Sequence, residues 1–208
     1  MNTLRAAWLV ALKDLQLELR TKEILTSTGL FAVLVVTLGS LAFYTDPLSA
    51  PDVAPGVLWI SILFCGILLI GRSWALSIYI GKTLSALVLL FMVELLLVPL
   101  CLIFFQIEPS GVMLPLLALV FLGSVGFVAT ASLFSAVGIR TRARDLMLSV
   151  VVFPLVAPAL LASAVATREL FGGASMAEVQ SWMRILGAFD LLFVSFGVWI
   201  SRHLLAET

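Results

Sequence analysis

Residues 84–105 read LSALVLLFMVELLLVPLCLIFF, an apolar run in which Glu94 is the one charged side chain. About 20 residues of helix cross the hydrocarbon core of a bilayer, and the buried core of a soluble domain rarely asks for a run so long and so poor in charge. Outward from this stretch lie five more: Ile24–Phe43 and Val57–Ile70 before it, Val112–Ile139, Leu146–Ala166 and Ile185–Ile200 after it, with Val57–Ile70 the shortest. None alternates apolar with polar positions, and an open sheet edge cannot face lipid, so the spans are expected as helices and not as a barrel. With 62% hydrophobic and 12% charged residues, the composition fits an all-α integral membrane protein in which lipid is the main solvent.

The charges orient the spans. Short loops rich in Lys and Arg stay on the cytoplasmic side. Arg5, Lys13, Arg20 and Lys22 precede the first span, Arg72 and Lys82 flank the second gap, Arg140, Arg142 and Arg144 fill the fourth, and Arg202 follows the last. The first and third gaps hold Asp46, Asp52 and Glu108 with no Lys or Arg, and the fifth mixes Arg168 and Arg184 with Glu169 and Glu178. Six spans with both termini cytoplasmic satisfy this pattern, as expected for a multi-pass membrane protein. The 12 basic and 12 acidic residues cancel, which leaves no basic field for nucleic acid. Mixed charges ahead of the first apolar run, with no small-residue cleavage site after it, argue against a cleavable signal peptide.

Residues 1–23 form an element of their own. Leu4, Trp8, Leu12, Leu15 and Leu19 recur at helical spacing, while Lys13, Asp14, Glu18 and Arg20 take the other faces. This predicts a cytoplasmic amphipathic helix along the membrane surface, either a plain anchor or a docking surface, ahead of a six-helix bundle over 24–201 in a single domain. At the other end, Ser175 with Glu178 fits a capping box, so a short interfacial helix carrying Trp182 is expected before the last span. Pro154 and Pro158 each remove a backbone donor from the fifth span, which should kink or break there. Gly123, Gly126, Thr130, Ala131 and Ser135 of the fourth span permit close helix packing. Cys65 and Cys101, 36 residues apart within apolar runs, read as small hydrophobes rather than redox or metal ligands.

Little chemistry is left for catalysis. Gly81-Lys82-Thr83 resembles the tail of a phosphate-binding loop, but Leu76 stands where that loop needs its first glycine, so nucleotide hydrolysis is assigned to another polypeptide. His203, the one histidine, has no acidic neighbour nearer than Glu207, and no triad or metal cluster can be built on it. Glu94, in mid-span, must be protonated, paired or beside water; it is either functional or a structural hydrogen bond to a neighbouring helix. Asp190 reads as lying near the outer boundary, facing a lumen or the headgroups.

Several segments carry a family resemblance: Ala54-Pro55-Gly56-Val57-Leu58-Trp59, Lys13-Asp14 with Glu18 to Glu23, Arg72-Ser73-Trp74, Gly81-Lys82-Thr83, Arg140-Thr141-Arg142-Ala143-Arg144 and Phe189-Asp190. Together these resemble the CcmB family, the haem exporter permease subunit of cytochrome c maturation, over nearly the whole chain. The resemblance implies an ABC-2-like exporter permease of six transmembrane helices, a homodimer within a larger complex. Its implied partners are an ATPase subunit that hydrolyses the ATP, a haem-handling membrane subunit and a haem chaperone. Haem would be handled by the complex, with no cofactor bound by this chain alone, and the absence of an outward-facing histidine assigns axial ligation to a partner. The chain departs from the family where an acidic cytoplasmic segment should separate Arg-Ser-Trp from Gly-Lys-Thr, because only Ala75 to Ile80 intervene. Either docking to the ATPase then falls to Arg140, Arg142 and Arg144 with Asp14 and Glu18 of the amino-terminal helix beside them, or this form couples poorly. Two rival readings stand: a permease for lipid or drug, and a non-transporting scaffold of the maturation complex.

Overall fold

The computed structural model of the chain describes residues 3–43, 46–72, 79–138 and 152–206. Seven helices occupy them: α1 Thr3–Thr21, α2 Glu23–Phe43, α3 Ala50–Arg72, α4 Tyr79–Phe104, α5 Met113–Gly138, α6 Phe153–Phe171 and α7 Met176–Ala206. Among the described residues there is no strand. Six of the helices, α2 to α7, are long and apolar enough to cross a membrane.

α5 is the central post, packed against α3, α4, α6 and α7, whereas α2 leans on α3 and α4 at one edge and α1 rests on α4. Large side chains fill the interior, among them Leu58, Ile62, Leu90, Leu97, Phe105, Phe127 and Leu186. The outward faces are equally apolar: Leu30, Leu34, Leu38 and Leu41 line α2, and Leu191, Leu192, Phe196 and Trp199 line α7. Lipid tails are as apolar as leucine, so this exposure carries no penalty in a bilayer.

The corner between α1 and α2 is built locally. Lys22 takes a left-handed conformation, φ 55°, which ends α1 and costs a non-glycine residue about 1 kcal/mol. The Glu18 carboxylate then accepts a hydrogen bond from Leu25 N at 2.8 Å, satisfying one of the free donors at the start of α2 and placing negative charge at its positive end. Glu18 is thereby buried, together with Ala11, while Trp8, Leu9, Leu17 and Leu19 are left exposed for an apolar surface.

Three expectations change. The second span is not short: α3 has 23 residues, because Asp46 and Ser49 stop the preceding turn through a 2.8 Å hydrogen bond and the helix starts at Ala50. Pro51 falls in its first turn, where a missing N–H is no loss, and Pro55 lies within the helix. In α6, Pro154 likewise occupies the first turn, and the helix continues through Pro158 to Phe171, so of the kink or break expected there the break is absent. Finally, the interfacial segment and the last span are one helix of 31 residues. Its start uses the expected cap, with Ser175 N donating to Glu178 Oε2 at 3.0 Å.

Candidate functional site

Successive residues of a helix turn by about 100°, so Gly123, Ser124, Gly126 and Phe127 fan around α5 and meet different neighbours. Phe127 presses on Gly66 of α3, where no side chain larger than hydrogen fits. Gly123 receives the Trp59 ring, also of α3; a Cβ there would stand 2.7 Å from Ser163 Oγ of α6 as well. With the ring so placed, Trp59 Nε1 donates to Thr167 Oγ1 at 3.0 Å, and that hydroxyl donates to the Ser163 carbonyl at 2.8 Å. A buried indole N–H is thus satisfied entirely within the bundle, which links α3 to α6.

On another side of α5, Ser124 Oγ donates to Glu94 Oε1 of α4. Glu94 is only 4% exposed, and its second oxygen, Oε2, is buried with no hydrogen-bond partner. Two residues further along and nearly opposite, Gly126 is covered by Asp190 and Phe189 of α7. Asp190 is 8% exposed, and its Oδ1 is likewise buried and unpartnered. Gly126 stands at the middle of α5, and the rise of 1.5 Å per residue puts Ser124 about 3 Å away along the axis. Glu94 and Asp190 therefore occupy one level at the centre of the bundle, separated by α5. This differs from the expectation that Asp190 lies near the outer boundary: the apolar stretch of α7 runs from Met176 to Ile200, so Asp190 falls near its middle, in keeping with its contact at Gly126.

The residues expected at a docking face divide. Asp14 Oδ2 lies 2.5 Å from Lys82 Nζ, which joins α1 to the first turn of α4 and uses both charges. Glu18 caps α2. Both carboxylates are thus engaged within the chain, Glu18 buried and Asp14 part-exposed. Arg140, Arg142 and Arg144 lie outside the described residues, as do Ser73, Trp74 and most of the short loop after them. Gly81, Lys82 and Thr83 are helical, and Lys82 is held by Asp14, an arrangement unlike a phosphate cradle. Cys65 and Cys101 are buried and free, their thiols donating weakly to the carbonyls of Thr28 and Ala54 at 3.8 Å. Among the described residues no three His, Cys, Asp or Glu side chains converge as a metal site.

Sequence reasoning passed over Ser124, Ser163 and Thr167. A serine or threonine within an apolar helix bonds to its own preceding turn as readily as to a neighbour, so partners across helices leave no mark on spacing. Trp59 did leave one, as the end of Ala-Pro-Gly-x-x-Trp. At the opposite end from Lys82, Arg168 and Asp52 form an exposed pair at 2.7 Å, and Trp182 Nε1 donates to Glu169 Oε2 at 2.7 Å. An apolar cleft of ≈ 180 Å³ opens between α4, α5 and α7, below the roughly 300–1,000 Å³ that small-molecule sites occupy.

Six membrane-spanning helices, four of them packed against α5, with the charged side chains of the described residues at one buried level and at the ends, fit a multi-pass α-helical membrane permease. A protein-family model described as CcmB protein matches residues 5–89 and 75–205. The chain belongs to the CcmB family, and so to the membrane components of the cytochrome c maturation ABC transporter. The two matched stretches overlap at 75–89, around the shortened loop. No curated protein and no solved structure matches the chain.

Proposed function

We propose that this chain is the permease subunit of an ATP-driven transporter whose work is haem export, or release of haem-loaded chaperone, during cytochrome c maturation. A separate subunit hydrolyses ATP, haem is cargo of the whole complex, and the chain works as a homodimer beside a haem-handling membrane subunit. Both termini lie in the cytoplasm of the bacterial inner membrane. The observation that carries this reading is a family match across nearly the whole chain combined with six spans. The charge distribution supports the orientation, since basic residues gather before the first span, in the second and fourth gaps and after the last span, while the first and third gaps hold none. Docking to the ATPase is assigned to the segment of Arg140, Arg142 and Arg144, because Asp14 and Glu18 are engaged within the chain.

Deletion of the gene tests the reading. Loss of covalently attached haem from c-type cytochromes, with normal lipid and drug export, is the expected result. Normal cytochrome c with altered lipid or drug export would instead favour the rival permease reading.

A second reading, a membrane scaffold that does not transport, is favoured by one observation: the family match divides at the loop where an ATPase-facing segment is short. ATPase activity stimulated by this chain in the reconstituted complex would count against it.

A further inference from the structure

Glu94 and Asp190 touch the same helix, α5, at the same level and from opposite sides, and each buries one carboxyl oxygen with no partner. A carboxylate so placed needs a counter-charge. None is available in the spans: no Lys, Arg or His occurs at 24–43, 53–71, 83–138, 152–167 or 185–201. Lys82, the nearest basic residue along α4, lies three turns away and is held by Asp14. Nor do the helices packed around the two residues supply one. The group that meets the Glu94 carboxyl is the Ser124 hydroxyl of α5, which carries no charge. Where α1 meets α4, Asp14 of α1 holds Lys82 of α4, and α2 has no charged side chain beyond Glu23. Asp190 meets Gly126 of α5, while the residues of α6 at 152–167 carry no charge at all. Water is the other common partner of a carboxylate, but Glu94 and Asp190 are themselves 4% and 8% exposed, and the cleft between α4, α5 and α7 is lined by apolar side chains such as Val125 and Val194.

We propose that Glu94 and Asp190 are two proton-binding sites at the centre of the membrane, each holding one proton in this packing of α4 and α7 on α5. Each site takes its proton from hydronium, forms one O–H bond on the unpartnered oxygen and releases a water; nothing is oxidised or reduced. Ser124 fixes which oxygen of Glu94 remains the acceptor, so the proton resides on Oε2. At Asp190 the missing side chain of Gly126 makes the space in which a neutral carboxyl lies against the helix backbone. The proton is then a structural ligand: its loss leaves a bare carboxylate against α5 and drives the bearing helix toward water. The inference requires only the membrane-spanning fold and stands apart from the transport assignment.

Infrared spectroscopy of the full chain in lipid bilayers at neutral pH tests it, through the C=O stretch of protonated carboxyl groups. The unaltered protein should show two such components. Glu94→Gln should remove one, Asp190→Asn the other, and Ser124→Ala should move the Glu94 component to higher frequency by taking away its hydrogen bond. Should an amide variant fail to fold, isotope labelling of all Glu or all Asp carboxyls in the unaltered chain assigns the same two components. Absence of protonated carboxyl at neutral pH, or a component that survives the substitution or labelling meant to move it, overturns the proposal. A component from only one of the two residues overturns the pair.

Discussion

Lys82 Nζ stands 2.5 Å from Asp14 Oδ2, so the helix ahead of the first span is tied to the residue that opens the third. Both side chains are largely covered, at 11% and 23% exposure, and the pair is therefore screened less than one in open solvent. This contact between charged side chains fastens α1 to the bundle.

Lys82→Ala and Asp14→Ala should each loosen α1, and the double variant should cost less than the two single losses added together. A double-mutant cycle on thermal unfolding in detergent is expected to return a coupling of about 0.5–3 kcal/mol, because each single change strands a half-buried charge. Additive effects would mean that the pair holds nothing.

Glu18→Ala removes the carboxylate that accepts from Leu25 N, and about 1 kcal/mol should be lost at the start of α2. Limited proteolysis should then cut near Lys22 sooner than in the unaltered chain. Glu18→Gln, which keeps an acceptor oxygen, should recover most of the protection.

Glycines of the bundle separate by what a methyl group would meet. At Gly66 it would run into the Phe127 ring, and at Gly123 into Trp59 and Ser163, whereas at Gly56 nothing lies within 4 Å. Gly66→Ala and Gly123→Ala should cost about 1–3 kcal/mol each through overpacking. Gly56→Ala should be neutral or stabilise by a few tenths, as expected for glycine replaced within a helix. Thermal unfolding of the three variants in one detergent makes the comparison.

The fold was readable because the spans are set by a property that composition reports directly, namely long apolar runs closed by charge. What the sequence hid is the third dimension of those runs. Leu191 and Leu186 are equally apolar, yet the first faces outward and the second is fully buried, since in lipid both faces of a helix are free to be greasy. Periodicity therefore did not show that Glu94 finds Ser124 or that Asp190 finds Gly126, and the depth of Asp190 was misjudged because capping marked the start of α7 without marking where the membrane begins. Asp14 and Glu18 looked like a free polar face for the same reason: surface helices present charge to solvent and to a neighbouring helix with one pattern.

Arg168 and Asp52 pair where both are more than half exposed, at 62% and 59%. Exposed pairs contribute roughly 0–1 kcal/mol, so Asp52→Asn should leave the unfolding temperature nearly unchanged, with any difference vanishing at high salt. A large, salt-independent loss would show that this end of α3 and α6 is packed against something further.

Replacing Arg140, Arg142 and Arg144 together with glutamine should leave membrane insertion intact and weaken recovery of the ATPase subunit. Since these residues also satisfy the rule that places basic loops inside, topology mapping of the variant has to accompany the pull-down. Unchanged recovery would remove the docking role.

The central claim, that this is the permease subunit of a cytochrome c maturation transporter, is tested most directly by purifying the tagged full chain from membranes that also produce its neighbouring maturation proteins. The account predicts that an ATPase subunit and a haem-handling membrane subunit come with it in fixed proportion. Recovery of the folded chain with neither would contradict it.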